Sequence, residues 1–96
     1  KTAVSKIIAR GGKVIFLRTP SSGGYWDHEP IQFPREKYYD RLLSTTGCKG
    51  IHFKDYPDMA NFVCPDWSHL TKEDAIVYTQ ALIRALQQQN WFTNPR

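Results

Sequence analysis

No run of roughly 18 apolar residues, the length a helix needs to cross a bilayer, occurs in this chain, and no signal-peptide core is present. The stretch is therefore expected neither to span a membrane nor to carry a secretion address. Blocks of like charge are missing too. Thirteen Lys and Arg against nine Asp and Glu give a net charge of +4, but the basic residues are scattered from Lys1 to Arg96. A nucleic-acid binder gathers them in a stripe interleaved with aromatics, so no nucleic-acid partner is expected. Cysteine is scarce. Cys48 and Cys64 fit neither a CxxC pair nor a zinc-ligand spacing, and one disulfide between them requires an oxidising compartment. With 41% hydrophobic and 14% aromatic residues and no low-complexity tract, the composition is that of a folded domain. Its core must be small, because a chain of 96 residues buries only roughly 60 to 70% of the surface it exposes when unfolded.

Residues 2 to 10 place Val4, Ile7 and Ile8 at helical spacing before Gly11-Gly12, which reads as the end of a helix. "KVIFL", Lys13 to Leu17, is short, apolar and β-branched, as in a parallel strand covered on both faces. Ser21 to Phe33 carries Gly, Pro and Ser punctuation without a period and reads as a long loop. Pro34 then suits a first helical turn, and "REKYYDRLLSTTG" is amphipathic up to the stop at Gly47. "GIHFKD" alternates Ile51 and Phe53 with His52 and Lys54, a half-exposed strand. Thr71 can cap a final helix that carries Ala75, Ile76, Thr79, Leu82, Ile83 and Leu86 on one face.

The expected fold class is thus α/β, in three layers, with parallel strands at about 13 to 18 and 50 to 55 and helices at about 34 to 46 and 71 to 88. Residues 89 to 96 are expected to fray. Two strands make a poor sheet, so further strands are expected from an N-terminal half or from another subunit, and the initial Lys in place of Met agrees with an excised piece. An exposed strand edge would also invite homodimerisation.

The residues with the strongest chemical claim are Asp66 and His69 in "CPDWSHLTKEDA". A histidine acting as general base needs its second nitrogen held by an acceptor such as a carboxylate. A turn that brings residues three apart together, anchored by a helix directly after it, can supply that. The competing reading is an Asx-type turn with a surface histidine. Tyr25, Trp26, Asp27 and His28 cluster in the long loop, where aromatic rings could line an acyl or sugar site or fold back over the core. Arg18, just after the first strand, could meet an anionic substrate group at the sheet's carboxyl edge. Trp67 could shield His69 or pack under the closing helix. Ser21 and Ser22 lack the pattern of a nucleophile elbow, and the three histidines with Asp27 match no compact metal-ligand pattern.

"KVIFLRTP", a loop and helix, "GIHFKD" and then "FVCPDWSHLTKEDAIVYTQALIRAL" together resemble the C-terminal half of the SGNH hydrolase superfamily, the GDSL-like esterases and acyltransferases. The likeness runs from about Gly11 to Gln88, and its specific motif is the Asp66-Trp67-Ser68-His69-Leu70 block. It is nearest to bacterial envelope-associated members. The resemblance implies a flavodoxin-like sheet, an acyl ester substrate such as an acylated envelope polysaccharide, no cofactor or metal, and a location in the bacterial envelope or periplasm. His69 would be the general base and Asp66 its partner, with Tyr25, Trp26, Arg18 and Trp67 as candidate substrate contacts. The family's Gly-Asp-Ser nucleophile block and its oxyanion-hole residues have no counterpart here, so the isolated 96 residues are expected to be inactive. The alternative is a non-catalytic α/β domain that binds a partner or carbohydrate through residues 21 to 33.

Overall fold

The structure, a computed structural model, describes residues 1–92. In chain order it contains α1 (Thr2–Ala9), β1 (Ile15–Arg18), α2 (Gly23–Gln32), α3 (Tyr39–Thr46), β2 (Lys49–His52), a 3-10 turn at Phe53–Asp55 and α4 (Lys72–Gln88). The two strands pair in parallel, with Ile15 opposite Lys49 and Arg18 opposite His52, as the strand, helix, strand order implies. Side chains alternate along β2, and the two sides meet different helices. A Cβ at Gly50 would collide with Tyr39 and Leu43 of α3, whereas Ile51 enters the core with Phe53, Met59, Tyr78, Ala81 and Ala85. α3 and α4 thus cover opposite faces of this strand, and only glycine lets α3 approach so closely.

Several elements differ from the expectation. Residues 21 to 33 are not a loop, because Gly23–Gln32 forms α2 despite two leading glycines and Pro30. Local propensity opposes this helix, and tertiary contacts hold it. Trp26 packs edge-on against Phe53 at 5.1 Å between ring centroids, and Glu29 forms a two-pronged ion pair with Arg18. The helix expected from Pro34 becomes regular only at Tyr39. Arg35, inside the irregular turn, is held by Asp55 at 2.6 and 2.7 Å and by Asp40 at 3.0 Å. Gly47 ends α3 in the left-handed conformation at φ 69°, as the sequence suggests.

β2 ends at His52, not Asp55. His52 is buried, although alternation placed it outside. Its Nδ1 accepts the Lys54 N–H at 3.2 Å and so turns the chain into the 3-10 segment. Burial and the positive charge of Arg35 push this imidazole below its ordinary pKa, which suits a neutral ring that accepts a hydrogen bond. β1 is not covered on both faces, since Leu17 is 44% exposed. In the expected tail, Gln89 donates to Gly50 O and to Tyr56 Oη, and Lys13 Nζ reaches Trp91 O at 2.6 Å. Residues 89 to 91 are therefore tied to the body, and 93 to 96 of that tail lie outside the described residues. Cys48 and Cys64 are free thiols.

α4 starts where the sequence places it, with Thr71 Oγ1 accepting the Asp74 N–H at 3.1 Å. Its fully buried residues are Tyr78, Ala81 and Ala85; of the expected row, Leu82 and Leu86 pack against the core, whereas Ile76, Thr79 and Ile83 are exposed. The small residues let the helix lie close to Ile51 and Phe53, while Ile76, Val77 and Ile83 stay exposed. Truncation separates the two faces. Phe53→Ala should cost about 3–5 kcal/mol, because its ring is fully enclosed. Ile83→Ala, at 43% exposure, should cost under about 1 kcal/mol. Urea denaturation followed by circular dichroism measures both, and equal losses would contradict this register of α4.

Candidate functional site

β1 ends at Arg18, and the chain then turns through Thr19 to Ser22 into α2. The irregular segment before α4 crosses this turn and is bonded to it. Ser22 Oγ accepts the Cys64 N–H at 2.9 Å and donates to Phe62 O at 3.3 Å. Ser22 N–H donates to Trp67 O at 2.9 Å, and the Cys64 thiol donates to Pro20 O at 3.5 Å. The turn carrying Asp66 and His69 is thereby fixed at the carboxyl edge of the parallel strands, where α/β sheets present their ligand sites.

Within that turn one carboxylate does three things. Asp66 Oδ1 accepts the Ser68 N–H at 3.1 Å and the His69 N–H at 2.7 Å, which is an Asx turn. Its Oδ2 lies 2.8 Å from His69 Nδ1. The two readings of the motif, a polar turn and a carboxylate–histidine pair, are therefore met at once. An ionised carboxylate only accepts, so Nδ1 donates to it, and in the neutral ring the lone pair then falls on Nε2, which has no hydrogen-bond partner among the described residues. The bond from His69, followed by the two backbone N–H groups, holds the Asp66 carboxyl below its ordinary pKa.

The hydroxyls nearest the pair are not its nucleophile. Ser68 Oγ lies 3.0 Å from His69 but on Nδ1, the nitrogen already turned to Asp66. A triad needs the hydroxyl on the other nitrogen. Ser21 is buried and accepts from Arg18 at 2.9 Å, and Ser22 is occupied in the stitch just described. The described residues include no group of three His, Cys, Asp or Glu able to hold a metal.

Beside the turn opens a cleft of about 660 Å³ between α2 and Trp67. Of the expected substrate contacts, Arg18, Tyr25 and Trp67 line it, and Trp26 does not. Trp26 packs instead against the core beside Phe53 and His52, the second of its two expected placements and not the substrate contact. His28, Gln32 and Phe33 line the cleft as well. His28 and Gln32 share one face of α2 with Tyr25, a spacing that becomes visible only once Gly23–Gln32 is read as a helix. Arg18 does not face the cleft as an unpaired cation, because Glu29 neutralises it. Trp67 lies neither over His69 nor under α4 but across Gly23 and Gly24, with Tyr25 edge-on at 5.4 Å.

Compared with protein-family models, curated proteins and solved structures, the chain matches none.

Acid titration tests the geometry at Asp66. Its native pKa lies below the reference value of 3.8, so the native turn binds fewer protons than the opened chain. Its contribution to stability is present above pH 3.8 and is lost as pH falls through the lower native value. The Asp66 carboxyl ¹³C shift should titrate with a midpoint below 3.8, and amide protection at Ser68 and His69 should fall with it. A midpoint at or above 3.8 would contradict the three bonds.

Proposed function

We propose that residues 11 to 88 are the C-terminal part of an SGNH-type domain with a three-layer, flavodoxin-like parallel sheet, and that the protein is a serine esterase or O-acyltransferase. Its substrate is an acyl ester, with an acylated envelope polysaccharide as the class the resemblance suggests. The observation that carries this reading is the 2.8 Å contact of His69 Nδ1 with Asp66 Oδ2, which leaves Nε2 as an available base at the sheet's carboxyl edge. In the reaction a serine Oγ attacks the acyl carbonyl while His69 Nε2 takes its proton. Asp66 stabilises the imidazolium, and the same proton then leaves with the alcohol as the tetrahedral intermediate collapses to an acyl-enzyme. Water or an acceptor hydroxyl repeats the steps in reverse.

The nucleophile and the oxyanion hole come, on this reading, from an N-terminal half of the domain or from another subunit. Two features support such a partner. Among the described residues the outer edge of β1 is unpaired in the two-stranded sheet, and Leu17, Ile76, Val77 and Ile83 are exposed beside a small core, as expected of surfaces that pack against something further. A homodimer through the β1 edge would cover part of the same surface.

A second reading has its own support in the 660 Å³ cleft. A non-catalytic α/β domain could bind a partner or carbohydrate there through α2. Tyr25, Phe33 and Trp67 offer exposed rings, and His28 and Gln32 offer polar contacts.

Fluorophosphonate labelling of the native protein that carries this chain, read by mass spectrometry, separates the two. The esterase reading predicts one modified serine outside residues 1–96. It also predicts that His69→Ala slows labelling by roughly 10²–10⁴-fold with an unchanged melting temperature, since the His69 side chain is 80% exposed. Labelling that survives His69→Ala, or that never occurs, favours the binding domain.

A further inference from the structure

Trp67 adopts φ 74°, a left-handed conformation unfavourable for a bulky side chain, which persists only where the surroundings impose it. The surroundings here are specific. The indole lies over Gly23 and Gly24, where a Cβ at Gly24 would stand 2.9 Å from Trp67 Cζ3 and a Cβ at Gly23 would overlap the pyrrole edge. Tyr25 meets the ring edge-on. The Trp67 N–H donates to Cys64 O and its carbonyl accepts from Ser22 N, each at 2.9 Å. α2 thus opens with two residues that leave room for one side chain of a distant turn.

That turn is the one between Asp66 and His69. If φ at Trp67 relaxed to a negative value, the peptide planes that follow would rotate. The Ser68 and His69 N–H groups would then leave Asp66 Oδ1, and the imidazole would swing away from Oδ2. Both partners are largely solvent-exposed, with Asp66 at 60%. A solvent-exposed contact of this kind is screened by water and is too weak to hold a strained backbone by itself.

We propose that Trp67 is a positioning residue: its ring, seated on Gly23-Gly24, holds the turn in the conformation that aims His69 Nδ1 at Asp66. This rests on the reading of His69 as the base for its consequence in catalysis, but the geometric claim is independent of it. Because Trp67, Gly24 and Tyr25 also wall the cleft, the same ring joins the cleft to the histidine.

The test reads the tautomer of His69, which a merely structural loss would not shift selectively. In the wild-type chain, long-range ¹H–¹⁵N correlation at alkaline pH should show neutral His69 mainly as the Nδ1–H form, whereas an unconstrained histidine favours Nε2–H. Trp67→Ala and the milder Gly24→Ala should move His69 to the Nε2–H form while the amide signals of Ile51, Phe53 and Ala81 stay in place. Trp67→Phe, which keeps a ring on Gly24, should restore most of the Nδ1–H form. The proposal is overturned if wild-type His69 is already Nε2–H. It is equally overturned if the Nδ1–H population is unchanged in Gly24→Ala although the indole N–H signal shows that the ring has moved. Fluorophosphonate labelling decides the base role separately, so a failure of either is recognised without the other.

Discussion

Ser22 is the residue on which the arrangement at the carboxyl edge depends. Its hydroxyl accepts from Cys64 and donates to Phe62, and its amide donates to Trp67. Three bonds from one residue join the turn after β1 to the segment that carries Asp66 and His69, more than forty positions further along the chain. That segment has no strand or helix of its own until α4, and these bonds add to the burial of Met59 and Cys64 in fixing it against the sheet. With them, Trp67 meets the glycines of α2, and the histidine, the cleft and the strand ends occupy one region. A side-chain hydrogen bond contributes only about 0.5–1.5 kcal/mol, so their value here is placement more than stability.

The rest of the molecule is built on a narrow margin. The enclosed core is a short row of side chains between β2, its 3-10 extension and α4, and α4 meets it through Tyr78, Ala81 and Ala85, with Leu82 and Leu86 packed at its margin. Ile76, Val77 and Ile83 of the same helix are exposed, and among the described residues β1 has one strand partner. A domain with so little buried surface has little stability in reserve. The outward apolar side chains of Ile76, Val77 and Ile83 are where further protein surface would add to it.

How far the sequence was legible depends on the scale of the signal. The "TKED" cap fixed the start of α4 because capping is local chemistry between Thr71 and Asp74. The αL stop at Gly47 and the parallel pairing of "KVIFL" with "GIHFKD" were readable for similar reasons. α2 was not, because its Gly-Gly start and Pro30 are poor helix chemistry in isolation, and what stabilises it lies in Trp67, Arg18 and Phe53 elsewhere in the chain. The burial of His52 and the facing of α4 were misread for a related cause. Hydrophobicity marks which residues can be buried, whereas close approach selects small ones, so Ala81 and Ala85 took the place expected of Ile76 and Ile83. At the site, the i, i+3 spacing of Asp66 and His69 did announce their contact. The cradle formed by Gly23 and Gly24 did not, since nothing in "PSSGG" names the indole that fills it.

A crystal structure of the native protein after reaction with a fluorophosphonate would measure most directly whether Asp66 and His69 form the base end of a triad. A phosphonylated serine whose Oγ lies about 2.6–3.2 Å from His69 Nε2, with Nδ1 still on Asp66, is the expected result. An adduct out of reach of Nε2, or a native protein that forms none, would contradict it and leave the turn as a structural clamp beside a binding cleft.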